Sequence, residues 1–168
     1  LGEFTADDKL LIITKSGIAK TIAPTLNYHF EADMIVLEKW DPSKPISAIY
    51  FEGEKAKYYV KRFVIEHAER EDKFITEHPK SSLVSIATDY RPNAEIVFSK
   101  RSLDTIVLDF EEFIAVKGIK AVGNQLTSDK IKQVKVLEPK PYTPPVEVVP
   151  NEEEEEHTSD EDIQPSLF

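Results

Sequence analysis

The sequence predicts an all-β protein made of propeller-like blades, about three of them, followed by a disordered acidic tail. Three observations predict it. Short apolar runs recur in pairs around tight turns. The turn glycines Gly17 and Gly53 stand 36 residues apart. No segment carries a convincing long apolar period of 3.6 residues.

Residues 10–14 (LLIIT) and 18–22 (IAKTI) flank Lys15-Ser16-Gly17, which reads as strand, glycine turn, strand. Residues 33–41 form a further strand. Residues 44–51 and 57–65 repeat the hairpin around Glu52-Gly53-Glu54. Residues 82–87 and 94–98 flank Thr88 to Asn93 as a third hairpin, with Pro92 in place of glycine. Segments 106–110, 113–122 and 130–137 supply more strands, and 64–77 is the one stretch with a short helical pattern. A single blade cannot bury both its faces, so neighbouring blades must stack. About three blades give an open arc or an incomplete disc.

The charge is unevenly placed. The chain has 168 residues and a formal net charge of -10. From Pro144 onward there are nine acids and no Lys or Arg, which leaves 22 acids against 21 bases in residues 1–143. The body is nearly neutral, so an anionic partner is open to it. Residues 139–150 hold five prolines and lead into five successive glutamates. Prolines remove backbone donors and like charges repel, so no core is expected over 139–168. The body is accordingly placed at 1–138.

Several classes of chemistry are set aside. There is no cysteine, hence no disulfide and no thiolate metal site, and a reducing cytoplasm is the simplest setting. No apolar run approaches the ~20 residues that span a bilayer, and no signal peptide opens the chain. The start at Leu1-Gly2-Glu3-Phe4, without an initiator methionine, reads as a piece of a longer protein. The four histidines are scattered, and no metal-binding or phosphate-binding pattern and no catalytic triad spacing appears. The carboxylates Asp104, Asp109, Glu111 and Glu112 read as a solvated edge. No catalytic residue, metal ligand or cofactor is assigned to this chain.

The remaining signal is basic residues on hairpins. Lysines on edge strands block sheet-to-sheet aggregation. Alternatively, they form a rim that tracks a phosphate backbone without reading bases. The residues carry a resemblance that bears on this choice. Residues 11–20 (LIITKSGIAK) resemble the blade hairpin in the C-terminal domain of bacterial type IIA topoisomerase A subunits. Residues 58–63 (YYVKRF) and 113–127 (FIAVKGIKAVGNQLT) resemble later blades of that domain. They are most similar to its form in the A subunits of topoisomerase IV, or of combined gyrase/topoisomerase IV enzymes. The likeness covers residues 1–138.

That resemblance implies a β-pinwheel whose basic rim binds and bends double-stranded DNA. The implied DNA contacts are Lys15, Lys20, Lys57, Lys61, Arg62, Arg91, Lys117 and Lys120. It also implies that catalysis, with ATP and Mg, and the contact to the topoisomerase B subunits lie in other parts of the parent protein, in the cytoplasm at the nucleoid. The glycine- and arginine-rich box of gyrase A subunits has no match; the nearest stretch, residues 116–120 (VKGIK), lacks arginine. The resemblance therefore favours the decatenating type.

A second reading makes the blades a scaffold and the tail a docking element. The terminal Gln164-Pro-Ser-Leu-Phe168 resembles the short peptide by which replication proteins dock on the bacterial sliding clamp. Gln164 would hydrogen-bond at the pocket mouth while Leu167 and Phe168 enter an apolar pocket.

Overall fold

A computed structural model describes residues 2–146. Among them the chain forms three antiparallel sheets that do not close into a barrel. The first is built on the hairpin β1 (Leu10–Thr14) and β2 (Ile18–Ile22). Beside β1 lies β3 (Met34–Lys39), and beside β2 lies β6 (Glu71–Lys73). The second is built on β4 (Ile46–Glu52) and β5 (Lys57–Phe63), with β7 (Ser82–Ala87) beside β4 and β10 (Asn124–Thr127) beside β5. The third is built on β8 (Asn93–Phe98) and β9 (Ile106–Asp109), with β11 (Ile131–Val136) beside β8. The all-β, blade-like expectation is met, with one sheet for each expected blade.

Two strands leave their own repeat. β6 lies between β5 and β7 in sequence but pairs with β2, in the register Ile18↔Lys73 to Lys20↔Glu71. β10 lies between β9 and β11 but pairs with β5. Each later repeat thus lends a strand to the sheet before it, and neighbouring sheets are stitched together by backbone hydrogen bonds as well as by side-chain packing.

The second sheet is the middle layer, and strand alternation shows why. On β4, Ile46, Ala48 and Tyr50 point into a core shared with Leu11, Ile13 and Ala19 of the first sheet. Ile49, on the opposite face, joins Val60 in a second core with Ala94, Ile96 and Leu108 of the third sheet. Buried on both faces, β4 carries the consecutive apolar residues Ala48 to Phe51 instead of a strict apolar–polar alternation.

Three expected elements differ. Residues 88–93 do not close a third hairpin: β7 pairs with β4 and β8 with β9 and β11, so this stretch crosses between sheets. The short helix expected over 64–77 is absent; β6 occupies its centre, after a left-handed turn at Glu69 (φ 61°). Ile65, Phe74 and Ile75 reach the first core from the loops on either side of β6.

The strand expected over 113–122 is also absent. The single-turn helix α1 (Phe110–Phe113) precedes it, started by Asp109, whose carboxylate accepts from the backbone N–H groups of Glu111 and Glu112. Residues 114–123 then run irregularly, with one bridge between Lys117 and Phe63.

The expected start of the tail at 139 falls within a segment fastened to the body. Lys140 N–H donates to Arg91 O (3.0 Å), and Arg91 Nη1 donates to Pro141 O (2.8 Å). The Lys140 ammonium pairs with Asp109. Tyr142 stacks on Tyr90, with ring centroids 3.9 Å apart and planes 3° from parallel. The glutamate run and the terminal motif with Gln164, Leu167 and Phe168 lie outside the described residues.

Candidate nucleic-acid interface

Each of the three hairpin turns presents at least one exposed base. In the first turn, Gly17 adopts φ 81° and its N–H returns to Thr14 O (3.1 Å). A side chain there would be strained and would drive into Ile75. Thr14 Oγ1 meets Ser16 Oγ (2.7 Å), and Asp33 accepts from the backbone of Lys15 and Ser16. The backbone of Lys15 is therefore fixed while its side chain stands exposed.

The second turn is organised by Glu52, which is buried. Its carboxylate accepts from Lys55 N–H (2.8 Å), Glu54 N–H (3.3 Å) and Thr76 Oγ1 (3.1 Å). The Lys55 N–H does most to hold this carboxyl below the ordinary glutamate value, against the opposing effect of burial. Lys55 projects from the turn, 5.7 Å over the ring of Tyr59, and Lys57 follows half-buried. In the third turn Ser99 N–H donates to Lys130 O and Leu103 N–H to Lys100 O, leaving Lys100 and Arg101 exposed. None of these five bases makes a salt bridge among the described residues.

A surface joins the repeats. One cleft is lined by Lys15, Ile35 and Ser82 to Ile86. A second is lined by Phe51, Tyr58, Ser82, Val84, Ser128 and Lys130. They share Ser82 and Val84, so the outer face of β7 is a floor with Lys15 on one side and Lys130 on the other.

The other expected contacts sit elsewhere. Lys20 is paired with Glu31 and Glu71. Burial works against its charge, but the Glu31 carboxylate outweighs that and raises its pKa. Lys61 and Arg62 are buried and do not stand on a rim. Lys61 Nζ donates to Phe74 O and Ile119 O, both at 2.6 Å. Burial, helped by the charge of Lys120, lowers its pKa to about 8. Arg62 donates to Tyr90 O, and burial lowers its pKa against the pull of Glu111 and Asp109. Arg91 is paired with Glu111 (2.6 Å) and Lys120 with Asp72 (3.3 Å). Lys117 is exposed, its ammonium 3.3 Å from Asn124 Oδ1.

The structure thus brings Lys15 and Lys57 to hairpin turns, leaves Lys117 and Lys120 exposed on the loop, the latter paired with Asp72, and uses Lys20, Lys61, Arg62 and Arg91 in contacts within the body. Sequence reasoning misses Lys55. Its turn position beside Gly53 is the available signal, since Lys15 stands beside Gly17 in the same way.

Among the described residues no group of three or more His, Cys, Asp or Glu is arranged to hold a metal ion. No helix there is long and apolar enough to cross a membrane. A search of the curated proteins returns no match. The family model "Topoisomerase C-terminal domain, Bacteroidota" matches residues 1–138, the same extent over which the blade hairpins resemble topoisomerase repeats. With three stitched β-sheets and a match over most of its length, the chain belongs to the topoisomerase C-terminal domain family of Bacteroidota.

Proposed function

We propose that this domain is a non-catalytic module that binds and bends duplex DNA for a type IIA topoisomerase, positioning a segment for strand passage. The observation that carries the reading is the repetition of basic hairpin turns. Lys15, Lys55 with Lys57, and Lys100 with Arg101 stand at the turns of three successive sheets. Positive side chains at repeated backbone positions suit phosphates, which repeat along a duplex regardless of sequence. Nine acids and no Lys or Arg lie beyond Pro144, so residues 1–143 are nearly neutral and the exposed bases at the turns are not outweighed by the body. The parent enzyme, with its B subunits, ATP and Mg, performs the bond chemistry. The absence of a glycine- and arginine-rich box favours a topoisomerase IV-like role.

The test is binding of the full chain to short duplexes across a salt series. Log K should fall with log salt at about 0.9 per phosphate neutralised, equally for unrelated sequences. A joint Lys15→Glu, Lys55→Glu, Lys57→Glu, Lys100→Glu, Arg101→Glu variant should flatten that slope and weaken binding on every duplex. Salt-independent binding, or an unchanged slope in the variant, would sink the reading.

A further inference from the structure

Lys61 carries a charge that its neighbours do not answer. The residue is 3% exposed. Its ammonium donates to Phe74 O and Ile119 O, and it lies 5.4 Å from the centre of the Phe63 ring. All three acceptors are neutral. An ammonium has three N–H groups, so one remains beyond the two carbonyls. Among the described residues no carboxylate pairs with it, and the charge that acts on it is Lys120, of like sign. Buried charges are ordinarily paired with an opposite one.

The other cations nearby have their counterions. Lys73 pairs with Glu77 (3.2 Å) and Lys120 with Asp72 (3.3 Å). Lys61, Lys73 and Lys120 all line one open cleft of about 260 Å³. Its apolar walls are Phe74, Ile75, Ile119 and Val122, with Tyr50 at the floor. Phe74, Ile75 and Tyr50 are buried, while Val122 is 42% exposed at the mouth. None of the bases at the hairpin turns lines it.

The cleft is held in shape. Ala121 N–H returns to Gly118 O (3.0 Å), and the Tyr50 hydroxyl donates to Val122 O (2.7 Å). Gly123 follows at φ 97°, so close to Val60 O that a side chain there would collide with it. The loop 118–123 is thus fastened to β4 and β5 at both ends. A preformed apolar cleft with one aimed polar group is the usual form of a small-molecule site.

We propose that this cleft binds a small carboxylate with a branched apolar body, its carboxylate on the Lys61 ammonium and its body against Phe74, Ile75, Ile119 and Val122. One unanswered positive charge matches a monoanion. A dianionic phosphate would leave a negative charge over, and would make no use of the apolar walls. The site is independent of the proposed DNA contacts.

The test is NMR titration of the full chain with three probes: 3-methylbutanoate, acetate and 3-methylbutanamide. 3-Methylbutanoate should shift the amides of residues 74–76 and 119–122. It should bind about tenfold more tightly than acetate, which lacks the apolar body. The amide, of the same shape but neutral, should not bind. Val122→Asp places a carboxylate at the exposed mouth without touching the buried floor. It should fold as the wild type does and lose 3-methylbutanoate.

The side-chain signal of Lys61 supplies a second readout. Tyr50, Lys73, Glu77 and Lys120 also face the cleft, with Asp72 behind Lys120. Burial raises the Tyr50 hydroxyl above its ordinary 10.0. Lys61 should titrate near 8 in the free protein, and higher with 3-methylbutanoate or in Val122→Asp. Binding should weaken as pH rises through 8, where the ammonium is lost. Equal binding of the amide, or binding that survives in Val122→Asp, overturns the proposal. So does a response to 3-methylbutanoate no larger than that to acetate. A Lys61 that titrates at or above 10.5 without added ligand would mean that a carboxylate of residues 147–168 already answers it, which also overturns the small-molecule site.

Discussion

Lys61 shows how a residue's role is decided by the layer it occupies. It alternates with Tyr59 and Phe63 on β5 and so faces the core between the first two sheets. Its ammonium ties the chain after β6, at Phe74 O, to the irregular loop at Ile119 O. Burial pushes its pKa from the ordinary 10.5 to about 8, while the two carbonyls hold the proton. Between these values the unfolded chain binds the extra proton, so stability rises as pH climbs through about 8 to 10.5. The rise is at most about 3.5 kcal/mol, from roughly 1.4 kcal/mol per unit.

Lys61→Met keeps the length but leaves two carbonyls unpaired, and should cost about 2–4 kcal/mol at pH 7. Urea unfolding at pH 7.5 and pH 10 should then show a smaller alkaline gain in the variant. An equal gain in both proteins would place the titrating group elsewhere. The sequence could not assign this residue. KYYVKRF alternates correctly as a strand, but only the fact that its sheet is buried on both faces turns Lys61 and Arg62 inward.

At the scale of elements, local signals are legible in the sequence and non-local ones are not. The hairpins β1–β2 and β4–β5 are fixed by their own turns, and both can be read directly. The pairing of β6 with β2 spans the whole second hairpin, and nothing local announces it. The Pro92 turn resembles a third hairpin because strand, turn and strand follow one another; the pairing partners settle it otherwise. The helix α1 is legible in principle, since an Asp followed by two glutamates is a helix start.

Asp109 is the hinge of that region. Burial raises its pKa, but Lys140 and the N–H groups of Glu112 and Glu111 outweigh burial and hold the carboxyl below 3.8. Its contribution is complete above that value and lost as pH falls through the depressed one. Asp109→Ala removes the cap and the partner of Lys140. It should cost about 0.5–2 kcal/mol in urea unfolding at pH 7 and speed amide exchange at Lys140. Unchanged exchange there would mean that the Arg91 hydrogen bonds and the tyrosine stack fasten residues 139–142 without Asp109.

At the scale of the molecule, the nearly neutral body and the acidic end must be weighed together. The body presents exposed bases at its hairpin turns, and Tyr142, stacked on Tyr90, fixes where the chain leaves it. From Tyr142 to Glu152 is ten residues, a reach of at most about 35 Å. If the turns bind a duplex as proposed, five glutamates tethered about a domain's width from the lysines would compete with its phosphates at high effective concentration. Deleting residues 144–168 removes nine acids and should tighten duplex binding at low salt. The gain should shrink as salt rises, because screening over ~10 Å at 0.1 M weakens tail and duplex alike. Tyr142→Ala should have a partial effect of the same sign, since it frees the tether without removing its charge and dilutes the acids around the turns. Duplex titrations of all three proteins at 50 mM and 300 mM salt measure this. Equal affinities for the intact and shortened chains at 50 mM would leave the tail as a spacer with no hold on the proposed DNA-binding turns.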